Sequence, residues 1–337
     1  MNNISSTRIR VGVLMGGISS EHEISLLSGE GVVHALTALE FEPIPIIIHR
    51  NFYWEFPEKH ILKTEDALAE LKRLEIQVIF NALHGAFGED GRIQGLLDWL
   101  RIPYTGSGCS ACALAMNKVH SKVVARLADI RVARQLLFRQ DTWAWDRSDS
   151  VSRVEKELGF PVVIKPSSQG SSVGVTIADN AKGFLEGVEH ALEWDNEILV
   201  EEFIQGREVT CGVWDCEEGL PPRALPLTEI RPKTSSFFDY TAKYTPGASE
   251  EITPAPIEPA LTQKVQEFAV RAHQTIGCST WSRSDFIIGE DGPVWIEINT
   301  VPGLTPTSLY PQEAKCAGIS YKQMIQKFVE HALRKRR

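Results

Sequence analysis

Residues 283–299 read Arg283-Ser284-Asp285-Phe286-Ile287-Ile288-Gly289-Glu290-Asp291-Gly292-Pro293-Val294-Trp295-Ile296-Glu297-Ile298-Asn299. Two strand-like runs joined by Glu290-Asp291-Gly292 predict a β-hairpin with a three-residue turn closed by a left-handed Gly292. That register sets Asp285 opposite Glu297 and Arg283 opposite Asn299, and the strand period of two places all four on one face. Like charges directly opposed destabilise a hairpin, so the facing carboxylates ask for a reason. Hard oxygen donors converging on a divalent cation supply one, since Mg²⁺ commonly takes one or two carboxylates together with substrate phosphates. A solvated sheet face with an arginine–carboxylate bridge is the alternative. Asn299-Thr300-Val301-Pro302-Gly303-Leu304-Thr305 follows as a tight loop. A last helix carries Met324, Ile325, Phe328, Val329, Ala332 and Leu333, and its Arg-Lys-Arg-Arg end suits a solvated helix C-terminus.

Upstream, Val151, Val154 and Leu158 mark a helix stopped by Gly159 and Pro161. A strand Pro161–Pro166, a Ser/Gly loop Ser167–Gly174 and a returning strand Val175–Ile177 come next. A lysine at a strand end facing a glycine-serine loop can clamp a triphosphate. Lys165 has that setting but lacks the G-K-[ST] ending of a Walker loop, so a solvated hairpin stays open as the other reading. A further strand, Ile198–Ile204, runs to Gly206-Arg207-Glu208.

At the N-terminal end, the apolar run Arg8–Met15 ends in Gly16-Gly17 before Ser19-Ser20-Glu21-His22-Glu23. Ser20 and Glu23 predict a capping box, hence a strand that turns directly into a helix N-terminus, a setting suited to a carboxylate or phosphate. It is not G-x-G-x-x-G, which disfavours dinucleotide binding. A second strand, Val78–Leu83, leads through His84 and the loop Gly85–Gly91 into a helix with Ile93, Leu96, Leu97 and Leu100 at helical spacing. Strands alternating with helices predict an open α/β domain up to about residue 105.

The 337 residues allow two or three domains, each with its own core. With 43% hydrophobic and 23% charged residues the chain has an ordinary globular composition, and neither disorder nor a disulfide scaffold is indicated. The net charge of -9 disfavours nucleic acid as a partner and requires any site for a small anion to concentrate cations locally. Six cysteines are too few for a disulfide framework, and Cys109 and Cys112 lack the second pair or histidine of a zinc site, so they read as buried structural thiols. The N-terminal residues hold no apolar run like a signal peptide, and no window approaches about 20 apolar residues. The expectation is a soluble, reduced, cytoplasmic protein with no membrane partner.

Taken in order, the motifs resemble one family. Gly16-Gly17-x-Ser19-Ser20-Glu21-His22-Glu23-x-Ser25, His84-Gly85-x-x-Gly88-Glu89-Asp90-Gly91-x-x-Gln94-Gly95, Lys165-Pro166 with Gly170-Ser171-Ser172-Val173-Gly174, and Glu297-x-Asn299-Thr300-x-Pro302-Gly303 are similar to those of D-alanine:D-alanine ligases. The likeness runs from about residue 8 to 315. It implies the ATP-grasp fold: an N-terminal open α/β domain (1–106) that helps bind the amino acid, then a central (107–200) and a C-terminal (201–337) α+β domain that sandwich ATP. It also implies the reaction, in which ATP phosphorylates the carboxylate of one D-alanine and the amine of a second attacks the acyl phosphate. The product is D-alanyl-D-alanine for peptidoglycan precursors. Alternatives are another ATP-grasp carboxylate–amine ligase, such as one accepting D-serine second, and a non-catalytic nucleotide-binding relative. The second would have lost metal ligands or the arginine, and here Asp285, Glu297, Asn299 and Arg283 are all present.

Residue by residue, the resemblance assigns Lys118, Lys165, Ser172, Glu201 and Glu208 to ATP. The lysines take phosphates, Ser171 and Ser172 lie under a closing loop, and the two glutamates take the adenine and ribose ends. Asp285, Glu297 and Asn299 would hold two Mg²⁺ ions, with Mn²⁺ able to substitute. Arg283 and the backbone N–H of Gly303 would stabilise the oxyanion, and Glu21 would bind the ammonium of the first D-alanine, with His84 near it. Ser308 and Leu309 would meet the second D-alanine. In Phe238–Tyr244 the working pair is Lys243 and Tyr244, whose hydroxyl would reach Ser171 and Glu21 on closure, and Tyr244 favours an amine as second substrate. The resemblance also suggests a homodimer. Two departures stand out: Asn117 precedes the lysine where aspartate is common, and the Asp285-to-Glu297 hairpin is about one residue short.

Overall fold

The computed structural model describes residues 8–233 and 249–335, so Lys243 and Tyr244 lie outside the described residues. The chain begins with β1 (Arg10–Gly16), α1 (His22–Thr37), β2 (Glu42–Ile48), β3 (Trp54–Phe56), β4 (His60–Leu62), α2 (Thr64–Arg73), β5 (Val78–Asn81) and α3 (Arg92–Leu100). Their strands make one sheet in the order β4-β3-β2-β1-β5, with β1 parallel to both neighbours. A parallel centre is buried on both faces, and β1 accordingly runs without exposed positions from Val11 to Gly16. One face meets α1 and the other carries Leu14, Ile46, Ile79 and Leu97. The predicted capping box is not formed: α1 starts at His22, and Glu21 in the cap position makes no side-chain cap bond. Ser19 takes over, accepting from the Glu21 N–H at 3.2 Å and donating to the His84 carbonyl at 2.7 Å.

Two short helices, α4 (Cys109–Met116) and α5 (Lys118–Leu127), lead into a second sheet. Asn117 caps α5 by accepting from the His120 N–H at 2.9 Å, work that asparagine and aspartate do equally well, so this departure from the usual residue costs the helix nothing. The second sheet contains β6 (Gln135–Arg139), β7 (Val162–Pro166), β8 (Thr176–Ala178) and β9 (Glu197–Glu202), with α6 (Gln140–Glu157) and α7 (Ala181–Leu192) on one face. Its order is β6-β9-β7-β8, antiparallel throughout. Val162, Ile164, Ile198 and Val200 pack with Phe138 and Phe184 under the helices. By alternation Lys165 and Glu201 stand on the opposite face.

The third sheet is built from β10 (Arg207–Asp215), β11 (Arg223–Ala224), β12 (Thr228–Pro232), β13 (Ser249–Ile252), β14 (Thr280–Gly289) and β15 (Gly292–Asn299), with the path β13-β12-β10-β14-β15 and β11 beside β10. Helix α8 (Pro259–Ile276) covers the face of Val209, Cys211, Phe286 and Trp295. Helices α9 (Leu309–Cys316) and α10 (Tyr321–Arg334) close the chain. α10 packs back on the first sheet: Phe328 stacks on Trp281 at 4.1 Å and shares a core with Val11, Val13 and Phe80. At the basic helix end Arg334 is exposed yet donates to the Cys216 carbonyl at 3.1 Å, and Lys335 bonds Ser279 and Gly106, so both also fasten the helix end to neighbouring loops, while residues 336 and 337 lie outside the described residues.

The hairpin β14–β15 reaches the expected register by another route. Gly289 pairs with Gly292, so the turn holds two residues, Glu290 and Asp291, and Phe286 pairs with Trp295. The register then shifts between Asp285 and Phe286, leaving Ile296 as the extra residue of a bulge, and Asp285 faces Glu297 and Arg283 faces Asn299. A one-residue shift exchanges the faces of a strand. Trp295 therefore sits in the core under α8, while Glu297, two residues on, emerges on the other face with Asp285.

Of the six cysteines, all free, Cys112, Cys211, Cys216 and Cys278 are buried whereas Cys109 and Cys316 are exposed, which corrects the expectation of a buried Cys109. Among the described residues no helix is long and apolar enough to cross a membrane.

Candidate active site

A cavity of about 810 Å³ opens where the three sheets meet. Glu21, His84, Lys118, Ser171, Arg283, Glu297, Asn299, Gly303, Ser308 and Leu309 all line it, so residues 288 positions apart in sequence share one wall. The hairpin supplies its floor. Asp285, 8% exposed, is gripped by Arg283 through two bonds of 2.9 Å, accepts from the Thr210 hydroxyl at 2.7 Å and from the Asn299 amide at 3.3 Å. Burial alone would lower the Arg283 guanidinium, but Asp285 overrides it and raises it further, so this arginine stays charged.

Glu297 faces Lys118, whose Nζ lies 3.0 Å from its Oε2 and also donates to the Gln169 carbonyl at 2.7 Å. Across the cleft, Lys165 Nζ lies 2.5 Å from Glu201 Oε2 and Lys122 Nζ lies 2.6 Å from Glu201 Oε1. Burial would raise the Glu201 carboxyl, yet the two ammoniums bring it below the ordinary range. Both of its oxygens are thus held by lysines. Glu208 lies opposite Ile287 on β10, on the face that carries Thr210 and Asp285.

At the third wall Glu21 accepts from the Ser171 hydroxyl at 2.7 Å, a bond spanning 150 positions that joins the first helix to the Ser/Gly loop. Ser171 and Ser172 adopt positive φ of 51° and 58°, a backbone region uncommon for serine and often kept where function requires it. A Cβ on Gly85 would come 2.8 Å from Glu21 Oε2, so that glycine is needed for the approach. His84 is 3% exposed and is fixed on both ring nitrogens, by Ser28 at 3.0 Å and by the Val301 carbonyl at 3.1 Å. Burial would lower its imidazole, but nearby Glu89 reverses this and raises it. Gly303 sits against Ser308, where a Cβ would meet the hydroxyl at 2.9 Å, and Leu309 packs on Ile230.

Ten of the described residues singled out from the sequence thus line one cavity, whereas Asp285, Lys165, Ser172, Glu201 and Glu208 are not part of its lining. Two buried charges escaped that reading. Lys122 is fully buried, and its signal was its place four residues after Lys118, on the same helical face. Glu313 on α9 is also fully buried and accepts from the Gly212 N–H at 2.6 Å, and nothing in its local pattern marks it. Among the described residues no group of three or more His, Cys, Asp or Glu is gathered as for a metal. The cation-binding candidates remain two carboxylates and an amide on adjacent strands, a hard-oxygen set of the kind Mg²⁺ accepts.

Two family models match the chain: D-ala D-ala ligase N-terminus over residues 10–107 and D-ala D-ala ligase C-terminus over residues 124–330. Among curated proteins the chain is similar to a D-alanine:D-alanine ligase of Halalkalibacterium halodurans, 43% identical over 97% of this chain and 100% of the relative. Among solved structures it is similar to the VanG D-Ala:D-Ser ligase of Enterococcus faecalis (TM-score 0.82, 31% identity, 97% of this chain and 100% of that one). It is likewise similar to the D-alanine:D-alanine ligase of Bacillus anthracis complexed with ATP (TM-score 0.78, 30% identity, 97% and 98%).

Proposed function

This chain belongs to the D-alanine:D-alanine ligase family, and from that premise we propose how its own residues divide the work of the cleft. The protein is an ATP-dependent ligase with the ATP-grasp fold that joins two D-alanines in cell-wall precursor synthesis. Residues 1–106, 107–200 and 201–337 are read as its three units, the last strand of the second sheet, β9 (Glu197–Glu202), running two residues past the second boundary.

A carboxylate is a poor electrophile, so the site must gather the triphosphate, hold the reactants close and stabilise developing charge. Lys118 and Lys165 take phosphate oxygens, each leaving the carboxylate it now pairs with, and Ser172 with the Ser/Gly loop covers them. Glu208 faces the ribose end. Glu201, with both oxygens on lysines, anchors Lys165 rather than binding adenine. Asp285, Glu297 and Asn299 would hold two Mg²⁺ ions, with Mn²⁺ able to substitute, and when bound these would neutralise phosphate charge. Glu21 binds the ammonium of the first D-alanine beside His84, and Ser171 fixes the Glu21 carboxylate. Arg283 and the Gly303 N–H stabilise the oxyanion formed as the second amine attacks, and Ser308 and Leu309 receive the second D-alanine through its carboxylate and methyl. Lys243 and Tyr244 are proposed to close the site over both. The protein is read as a cytoplasmic homodimer without nucleic-acid or membrane partners.

The observation that carries this reading is that Arg283, Glu297 and Asn299 share one cavity with Glu21 and His84, so an acyl group held at the N-terminal wall faces the phosphate-binding floor. Phosphate release from ATP and Mg²⁺ is expected with D-alanine and not with L-alanine. A D-serine plus D-alanine arm separates the D-serine reading, which the likeness to VanG keeps in view. The absence of D-alanine-dependent turnover would refute the proposal.

A further inference from the structure

Lysine is almost never fully buried unless paired, and a buried ion pair is often no more stable than apolar residues of the same volume. Lys122 is therefore a residue in need of a reason. It is 0% exposed on α5, one turn beyond Lys118, and its ammonium reaches Glu201 Oε1 at 2.6 Å and the Trp295 carbonyl at 3.5 Å. Glu201, 2% exposed, thus carries two cations, because Lys165 holds its other oxygen.

We propose that Lys122 is a positioning residue for ATP: it keeps Glu201 neutralised, so that Lys165 can move its ammonium from Glu201 to a nucleotide phosphate. This rests on the assignment of Lys165 to the phosphates. With Lys122 present the cluster of three charges has a surplus of one positive charge, and when Lys165 turns to an incoming anion Glu201 still has a partner. Without Lys122, Lys165 and Glu201 form a closed neutral pair. Drawing the lysine away would then strand a buried carboxylate, the costliest way to break such a pair. Burial pushes Lys122 down to about 8 while Glu201 opposes the fall, so near neutral pH the ammonium still predominates. The spacing fits the role, since Lys118 and Lys122 leave one helix face four residues apart, the first toward Glu297 and the second toward Glu201.

The test compares Lys122→Met, Lys165→Met, Glu201→Gln and the double variant Lys122→Met/Glu201→Gln by steady-state phosphate release in the full-length enzyme. Lys122→Met is expected to raise KM for ATP about ten-fold or more while KM for D-alanine stays within roughly two-fold, and the double variant to return to the value of Glu201→Gln alone. An unchanged KM for ATP in Lys122→Met, or a double variant whose effect is the product of the two singles, overturns the inference. Lys165→Met separates the two levels: if it leaves KM for ATP unaltered, the assignment of Lys165 itself fails. Should Lys122→Met fold poorly, Lys122→Gln keeps a hydrogen-bond donor for Glu201 without the charge and is expected to show the same rise in KM for ATP. An unchanged KM for ATP in Lys122→Gln also overturns the inference.

Discussion

Glu313 offers a stability test with a definite sign. Its carboxyl is wholly buried on α9 and accepts from the Gly212 N–H at 2.6 Å. Burial pushes it up to about 8, against the pull of Arg283. A carboxyl raised in the folded state above its unfolded value contributes stability that is fully present below about pH 4.5 and is lost as pH rises toward 8, because the unfolded chain releases its proton first. A displacement of this size corresponds to roughly 4–5 kcal/mol across that window as an upper figure. Glu313→Gln keeps an acceptor for Gly212 and imitates the protonated acid without titrating. The variant and the parent should be nearly equal in stability near pH 4.5, and the variant should be more stable by several kcal/mol near pH 8, read from urea midpoints or melting temperatures across the range. A difference that does not change with pH, or that grows on acidification, would refute the placement of a neutral Glu313 beside Arg283. The same neutrality leaves Asp285 as the only carboxylate bonded to Arg283 among the described residues, which preserves the arginine's charge for a developing oxyanion.

Two further outcomes follow from the site. Ser171→Ala loses a hydrogen bond to the Glu21 carboxylate, about 1.5–3 kcal/mol, and keeps the left-handed backbone, whereas Ser171→Gly loses the same bond but relieves roughly 1 kcal/mol of strain. The alanine variant should therefore show the larger fall in kcat/KM for D-alanine, and equal losses would argue against a strained loop held by Glu21. Glu297→Ala should abolish phosphate release while circular dichroism and melting temperature stay close to the parent, since Lys118 retains the Gln169 carbonyl; near-normal turnover would remove Glu297 from the metal ligands.

Much of the site was legible because its residues lie in short motifs at turns, where glycine and serine mark a backbone that ordinary helices and strands do not use. Gly85 approaches Glu21 too closely for a side chain, and the Ser171-Ser172 pair holds positive φ, so both left a local trace. Lys122 and Glu313 left little. Their positions are ordinary for a helix, and only the packing of α5 and α9 against the sheets decides that they are buried. A charge is conspicuous in a sequence when its neighbours are unusual, and burial by a distant element is not a property of neighbours.

The hairpin shows the same limit from the other side. Alternation from Arg283 to Asn299 correctly pairs Asp285 with Glu297, yet a uniform period of two would also put Trp295 on the carboxylate face. Trp295 is fully buried under α8, and its indole N–H donates to the Ser284 hydroxyl at 3.1 Å on the core side. A two-residue turn alone would satisfy the tryptophan and turn Glu297 inward; a three-residue turn alone would satisfy Glu297 and expose the tryptophan. The bulge at Ile296 meets both demands by shifting the register after the core residues are placed and before the polar ones begin. The residue that the expected three-residue turn would have held stands inside the strand instead, where it aims Glu297 at Lys118 and the cleft.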